Sequence, residues 1–229
     1  MKESFFVFTQ ARLNSQRVPR KMVKEFCGTN LWRLACSKLE KLAVSYDKKW
    51  VACYDQELKD IAKPYNINIF NRTEGSANAE TDVKLIWEIC QSAPYEYYIM
   101  FNPCAPLLKI QTIERFISEF LQSPHHSMFG VMPVKNYFWN ENGELFHPPN
   151  TKMFNTKLCQ TTYTAVHLMY AGRTLDINQG IQLGDFTKNN PVLFIMDDKI
   201  ECLDIDDPSD WDIASAVYNY YLDADYVNR

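Results

Sequence analysis

"FFVFTQARLNSQRVPRKMVKEF", Phe5 to Phe26, joins four consecutive apolar residues to a segment carrying five cationic side chains. These are Arg12, Arg17, Arg20, Lys21 and Lys24, and no acid intervenes before Glu25. The apolar run is too short for the core of a signal peptide and suits a first buried strand. The basic loop that follows is unexpected in a chain of 229 residues with a formal net charge of −4. Most charge runs are solvated surface, so this one is judged by what the rest of the chain places beside it.

Strand-like and helix-like segments alternate beyond it. Leu31, Leu34, Ala35, Leu39 and Leu42 recur at helical spacing. Trp50–Cys53 reads as a strand, Glu57–Lys63 as a helix capped by Asp55, and Ile67–Phe70 as a third strand. Thr81–Cys90 reads as a helix capped near Glu80 or Thr81, and Tyr97–Phe101 as a strand ending at "NPCAPL". Ile113, Phe116, Ile117, Phe120 and Leu121 mark the clearest amphipathic helix, and Met128–Val134 follows as a strand. Core-like signals return at Ala165–Tyr170 and Val192–Met196, before a last helix from about Pro208 to Tyr221. This alternation predicts an α/β fold of Rossmann-like, three-layer α/β/α type with a mostly parallel sheet. Ligands of such sheets bind beyond the C-terminal strand ends, where the basic loop and "NPCAPL" both fall.

The reading takes residues 1–229 as a single domain with an inserted excursion at 135–165. There Glu141-Asn142-Gly143 signals a turn between aromatics, Pro148-Pro149 excludes a long central strand, and the segment suits a dimerisation arm. The acidic balance excludes a general nucleic-acid or membrane-surface binder, while leaving a local loop free to bind a compact anion such as a polyphosphate. No apolar run approaches a bilayer-spanning length. Seven scattered cysteines without a C-x-x-C pair favour free thiols in a reducing compartment, so the protein is expected to be cytoplasmic.

The basic loop lacks the Walker A pattern G-x-x-x-x-G-K-S/T and has no glycine between Thr9 and Cys27. Its charge must come from side chains: Arg12 as a bidentate clamp, Lys21 as a point charge, Ser15 as a hydroxyl donor, with Pro19 stiffening the loop. At the other end, Asp204 and Asp206 in "LDID" are one residue apart. In a strand end both would point to one face, as an octahedral magnesium site holding substrate phosphates requires. Asp207, Ser209 and Asp210 read as helix-capping residues. His167 reads as a core residue of an apolar strand, and His125-His126 as partners of a helix C-terminus. No cysteine has a basic neighbour in sequence that would make it a nucleophile.

"ARLNSQRVPRK" resembles the A-R-x-x-S-x-x-x-P-x-K signature of the cytidylyltransferases that activate acidic sugars: CMP-sialic acid synthetases, their relatives for legionaminic, pseudaminic and 3-deoxy-manno-octulosonic acids, and spore-coat polysaccharide homologues. "CGTNLWRLACSKLEKL" resembles that family's Gly-x-x-Leu helix entry. "NPCAPLLKIQTIERFI" resembles its Q-P-T-S-P-L segment, and "LDIDDPSDWDIA" its D-I-D-T-P-x-D-x-x-x-A ending. Four motifs in order cover most of the chain. The resemblance implies a nucleotidyltransferase fold and transfer of CMP from CTP to a sugar hydroxyl with release of pyrophosphate. It implies nucleotide contacts from Ala11, Arg12, Asn14, Ser15, Arg17, Lys21, Thr81 and Asn102, with Arg12, Lys21 and Asp206 catalytic. Mg²⁺, with Mn²⁺ as its substitute, is implied on Asp204 and Asp206, and a homodimer through the excursion.

Two departures stand out. Asn102 replaces the Gln that reads cytosine and is one methylene shorter; a strand-end cap is its other reading. "QTTYTAVHLMY" places Tyr163-Thr164-Ala165 where sialate-activating members carry an arginine for the sugar carboxylate. A metal-dependent glycosyltransferase using Asp204-x-Asp206 and a non-catalytic nucleotide-binding protein are the rival classes. A D-x-D of the former kind usually lies mid-chain, beside the donor nucleotide.

Overall fold

A computed structural model describes residues 2–147 and 153–222, with no side-chain account of 221 and 222. The expected Pro148-Pro149 break and the Tyr221 side chain lie outside the described residues. Seven strands form one sheet in the order β3-β2-β1-β4-β6-β5-β7. β1 (Phe5–Ala11), β2 (Lys49–Cys53), β3 (Asn68–Asn71) and β4 (Tyr97–Phe101) are mutually parallel. β5 (Met128–Val134) runs parallel to β7 (Val192–Ile195), and β6 (Thr162–Arg173) is antiparallel to both β4 and β5. The sheet is therefore mostly parallel, with β6 as the reversed strand.

The central strands are apolar on both faces because helices cover both. On one face, α1 (Leu31–Lys41), α2 (Gln56–Ala62), α6 (Ile110–Gln122) and α8 (Pro208–Leu222) bury Leu39, Leu58, Phe116 and Trp211 against Phe5, Val7 and Val51. On the other, α5 (Glu88–Ser92) and α7 (Thr174–Asn178) pack Ile89, Cys90 and Ile177 onto Phe6, Phe8 and Tyr98. In α6, Ile113, Phe116, Ile117 and Phe120 are all buried, as their i, i+3, i+4, i+7 spacing requires. Each such side chain contributes about 1.5–3 kcal/mol on leaving water. Asn30 caps α1 by accepting from the Arg33 amide at 2.8 Å.

Several local expectations are corrected. Asp55 precedes α2 without capping it; its carboxylate instead accepts from the Leu13 amide at 3.1 Å and ties down the basic loop. The helix read over Thr81–Cys90 is three short ones: α3 (Glu74–Asn78), α4 (Val83–Ile86) and α5, with Asp82, not Glu80 or Thr81, capping α4. His167 is exposed rather than core. At the β5–β6 register step Gly130 faces residues 166–169, and the bulge holds His167 at φ 47°.

Among its described residues the excursion forms a one-bridge hairpin, Trp139 to Leu145, turned at Gly143 with φ 81°. Phe138, Trp139, Phe146, Phe154 and Tyr163 are exposed along or beside it. Thr162–Ala165 extend β6 along β5, so the end of the excursion is continuous with the sheet.

Candidate active site

The C-terminal ends of β1 and β4 open on a cavity of about 540 Å³. Ala11, Arg12, Ser15, Arg17 and Lys21 line it from the basic loop, and Asn102 and Asp206 face them. The loop is anchored because Val18, Met22 and Phe26 are buried, and Val18 and Met22 also line the cavity beside its polar residues. Phe26 meets Trp211 and Tyr218 edge-on, so α8 serves as a packing wall for the loop.

Lys21 donates to the Ile205 carbonyl at 2.6 Å, and its ammonium lies 3.5 Å from Asp206. Arg17 pairs with the same carboxylate at 2.9 Å. These bonds join the N-terminal loop to the chain's other end. Arg12 is oriented by the carbonyls of Ala77 and Ala79, each at 3.3 Å, with Glu80 at 3.9 Å.

Leu203–Asp206 is not the expected strand end. Its backbone is irregular, held by the Ile205 amide donating to the Cys104 carbonyl at 3.0 Å. Ile205 is fully buried between the half-buried Asp204 and Asp206. Asp206 lines the cavity, whereas Asp204 sits behind Asn102, whose amide nitrogen donates to it at 3.2 Å. Burial pushes the Asp204 carboxyl up to about 7, with the negative charge of Asp206 adding to the shift and Lys21 opposing it. Asp204 Oδ1 is buried without a hydrogen-bond partner.

Asn102 is fully engaged. Its Nδ2 donates to Asp204 and to the His167 carbonyl at 3.2 Å, while its Oδ1 accepts from the Cys104 amide at 2.9 Å. Both amide protons are used, so the side chain acts as a post between β4, β6 and the "LDID" segment. Asn14 and Thr81 do not line the cavity; Asn14 bonds Asn78 at 2.6 Å, and Thr81 is exposed.

Lining residues that the sequence did not assign to the site include Gln10, Arg72, His167 and Tyr170. Gln10 follows Phe6 and Phe8 at strand alternation, which was a usable signal, and its Oε1 is buried without a partner. Arg72 follows β3 at a C-terminal strand end; it is buried, donates to Ser76 Oγ at 2.9 Å, and burial lowers its pKa. His167 and Tyr170 meet at 3.0 Å only because the bulge folds β6 back on itself. Burial pushes the Cys104 thiol up to about 12 despite the nearby Lys21, so it is no thiolate nucleophile.

A layered α/β/α sheet with a cationic side-chain cradle at its strand ends, facing the Asp206 carboxylate, is the arrangement of a nucleotidyltransferase-like fold. The family model for cytidylyltransferases matches residues 6–198, and the chain belongs to that family, whose members use CTP. That match covers the cavity's loops and ends short of Asp204 and Asp206. The family also separates this chain from the glycosyltransferase reading.

Among solved structures, CMP:2-keto-3-deoxy-manno-octonic acid synthetase complexed with CTP is 13% identical, with a TM-score of 0.67 over 95% of this chain and 99% of that one. A cytidylyltransferase from Leptospira borgpetersenii serovar Hardjo-bovis is 12% identical, with a TM-score of 0.59 over 95% and 87%. The 4-diphosphocytidyl-2C-methyl-D-erythritol synthase of Anaerococcus prevotii is 12% identical, with a TM-score of 0.67 over 94% and 96%. At these identities the likeness shows the shared fold. Comparison with curated protein sequences gives no match. No helix among the described residues is long and apolar enough to cross a membrane.

Proposed function

We propose that the protein transfers CMP from CTP to a hydroxyl of an acidic sugar, releasing pyrophosphate, as a step in surface-glycan biosynthesis. The observation that carries this reading is the cavity wall on which Arg12, Arg17 and Lys21 converge opposite Asp206. Three cations around one space suit a triphosphate, whose charge must be neutralised as the leaving group develops.

The donor set also fits a divalent cation, Mg²⁺ or Mn²⁺. Asp204 and Asp206 are hard oxygen donors, and the unpartnered Asp204 Oδ1 has room for a further donor or cation. No group of three or more His, Cys, Asp or Glu able to hold a metal ion by itself occurs among the described residues, so phosphate oxygens and water would complete the coordination. When bound, such an ion neutralises phosphate charge and acidifies a hydroxyl attached to it.

The chain's own groups supply alignment. Lys21, fixed by the Ile205 carbonyl, presents its charge where pyrophosphate departs. Arg12, braced by two carbonyls, can clamp phosphate oxygens through its remaining donors. The sugar oxygen bonds to the α-phosphorus as the bond from that phosphorus to the bridging oxygen breaks, and the hydroxyl proton passes to solvent. A homodimer through the aromatic excursion and a cytoplasmic location belong to the same proposal.

The test is pyrophosphate release from CTP with Mg²⁺ across a panel of acidic sugars, with Asp206→Ala as control. Release with one sugar, lost in the control, supports the reading. Undiminished release by Asp206→Ala refutes the assignment of the carboxylate.

A further inference from the structure

We infer that the acceptor lies in a second cavity, beyond His167 and Tyr170, and that this cavity selects an acidic sugar bearing an apolar substituent. His167 supplies the contact to its carboxylate. The proposal rests on the cytidylyl-transfer reading above and names the half of the substrate that reading leaves open.

A space of about 620 Å³ adjoins the nucleotide cavity, and His167 and Tyr170 line both. In-line displacement brings the acceptor to the α-phosphorus from a side that pyrophosphate does not occupy. With the triphosphate on the basic loop, the second cavity is the space across His167 and Tyr170 from which a hydroxyl can arrive.

Its walls set the chemistry. Val83, Phe129, Ile181, Leu183 and Phe186 are apolar, and no lysine or arginine lines it. A sugar with hydroxyls on every carbon would lose hydrogen bonds against such a wall, costing about 1–3 kcal/mol for each unpaired group. An acyl methyl or a deoxy carbon fits instead.

The carboxylate then has one imidazole among the lining side chains, His167, to donate a hydrogen bond to it. Its Nδ1 is engaged by the Tyr170 hydroxyl, which leaves Nε2 for a ligand. This supplies, from within the bulge, a function that the Tyr163-Thr164-Ala165 run cannot.

Backbone strain points to the same place. His167 has φ 47° and Phe186 φ 59°, and both line this cavity. Left-handed backbone is costly for bulky residues and concentrates where a side chain must be aimed. Phe186 holds that conformation while 79% exposed, at the rim of the apolar wall. Gly184 also lies in the wall with φ 59°, where an added Cβ would collide with the Asn190 amide and Ser127 Oγ.

The experiment compares 2-keto sugar acids with and without an N-acyl group, plus an uncharged sugar and a polyol phosphate, in the pyrophosphate-release assay. Wild type, Ala165→Phe, Phe186→Ala and His167→Ala are measured, with the CTP Kd of each by calorimetry. Ala165 and Phe186 are exposed, so neither substitution disturbs the core. The acylated acid should be preferred at least tenfold in kcat/KM. Ala165→Phe, which fills the cavity, and His167→Ala should each raise acceptor KM at least tenfold with kcat changed less, and Ala165→Phe, which does not line the nucleotide cavity, should keep its CTP Kd within twofold.

Equal use of both acids, or an unchanged acceptor KM in Ala165→Phe, overturns the proposal while leaving cytidylyl transfer intact. Turnover of only the uncharged sugar or polyol phosphate refutes the acidic-sugar reading and the His167 assignment together. If nothing turns over, saturation-transfer NMR with CTP present decides: binding of the acylated acid that Ala165→Phe abolishes supports the proposal, and no binding overturns it.

Discussion

Lys38→Met tests how the "NPCAPL" loop is held. Lys38 projects from α1 into the protein and donates to the carbonyls of Ala105 at 3.0 Å and Pro106 at 2.7 Å, a few residues after Asn102. Its side chain is buried, and burial lowers its pKa from 10.5 to about 7, with Glu201 opposing the shift. Between those values the unfolded lysine binds a proton that the folded one does not, so stability rises with pH across the window. For a folded value of about 7 the gain from pH 7 to pH 9 is about 2 kcal/mol. Methionine keeps the volume and removes both the titration and the two donors; each carbonyl left unpaired costs about 1–3 kcal/mol.

Wild type minus Lys38→Met should therefore widen by about 2 kcal/mol from pH 7 to pH 9 in urea unfolding followed by tryptophan fluorescence. Taking the difference between the proteins cancels the titration of every other group. A difference constant within about 0.5 kcal/mol across that range would refute the reasoning and show Lys38 charged throughout.

Three further outcomes are expected. Asn102→Ala should cost about 1–3 kcal/mol in urea unfolding, because it frees the Cys104 amide and leaves Asp204 without its donor; a loss of CTP affinity without any loss of stability would instead make Asn102 a base reader. Arg72→Met should lower stability by about 3 kcal/mol or less by chemical denaturation, since the Ser76 oxygens that Arg72 bonds are buried with it; an unchanged midpoint would refute that role. Phe154 stacks on Trp139 and is 67% exposed, so Phe154→Asp should convert a homodimer to monomer in multi-angle light scattering; a wild-type monomer at micromolar concentration sinks the dimer outright.

Elements built from local periodicity were legible. β4 and β5 fall on the expected residues, and α6 starts three residues before its first marked position. The basic loop was legible because its charge contrasts with the chain around it, and it does line the main cavity with Asp206. Boundaries set by competition were not: Asp55 spends its carboxylate on Leu13 instead of its helix, and Trp87 breaks one expected helix by turning into the core beneath Phe8 and Tyr98.

The sequence alone determined the layered α/β/α architecture and marked an N-terminal cationic loop and a C-terminal acidic pair, because periodicity and charge are properties of neighbours along the chain. Tertiary structure decided what those groups touch. Asn102, legible as an amide at a strand end, becomes a post only because β6 supplies the His167 carbonyl and "LDID" supplies Asp204, a contact spanning 102 residues of sequence. His167 becomes a cavity residue only because β6 has more residues than β5 can pair, and the surplus bulges toward the site. A register mismatch is a relation between two strands, and neither strand carries it alone.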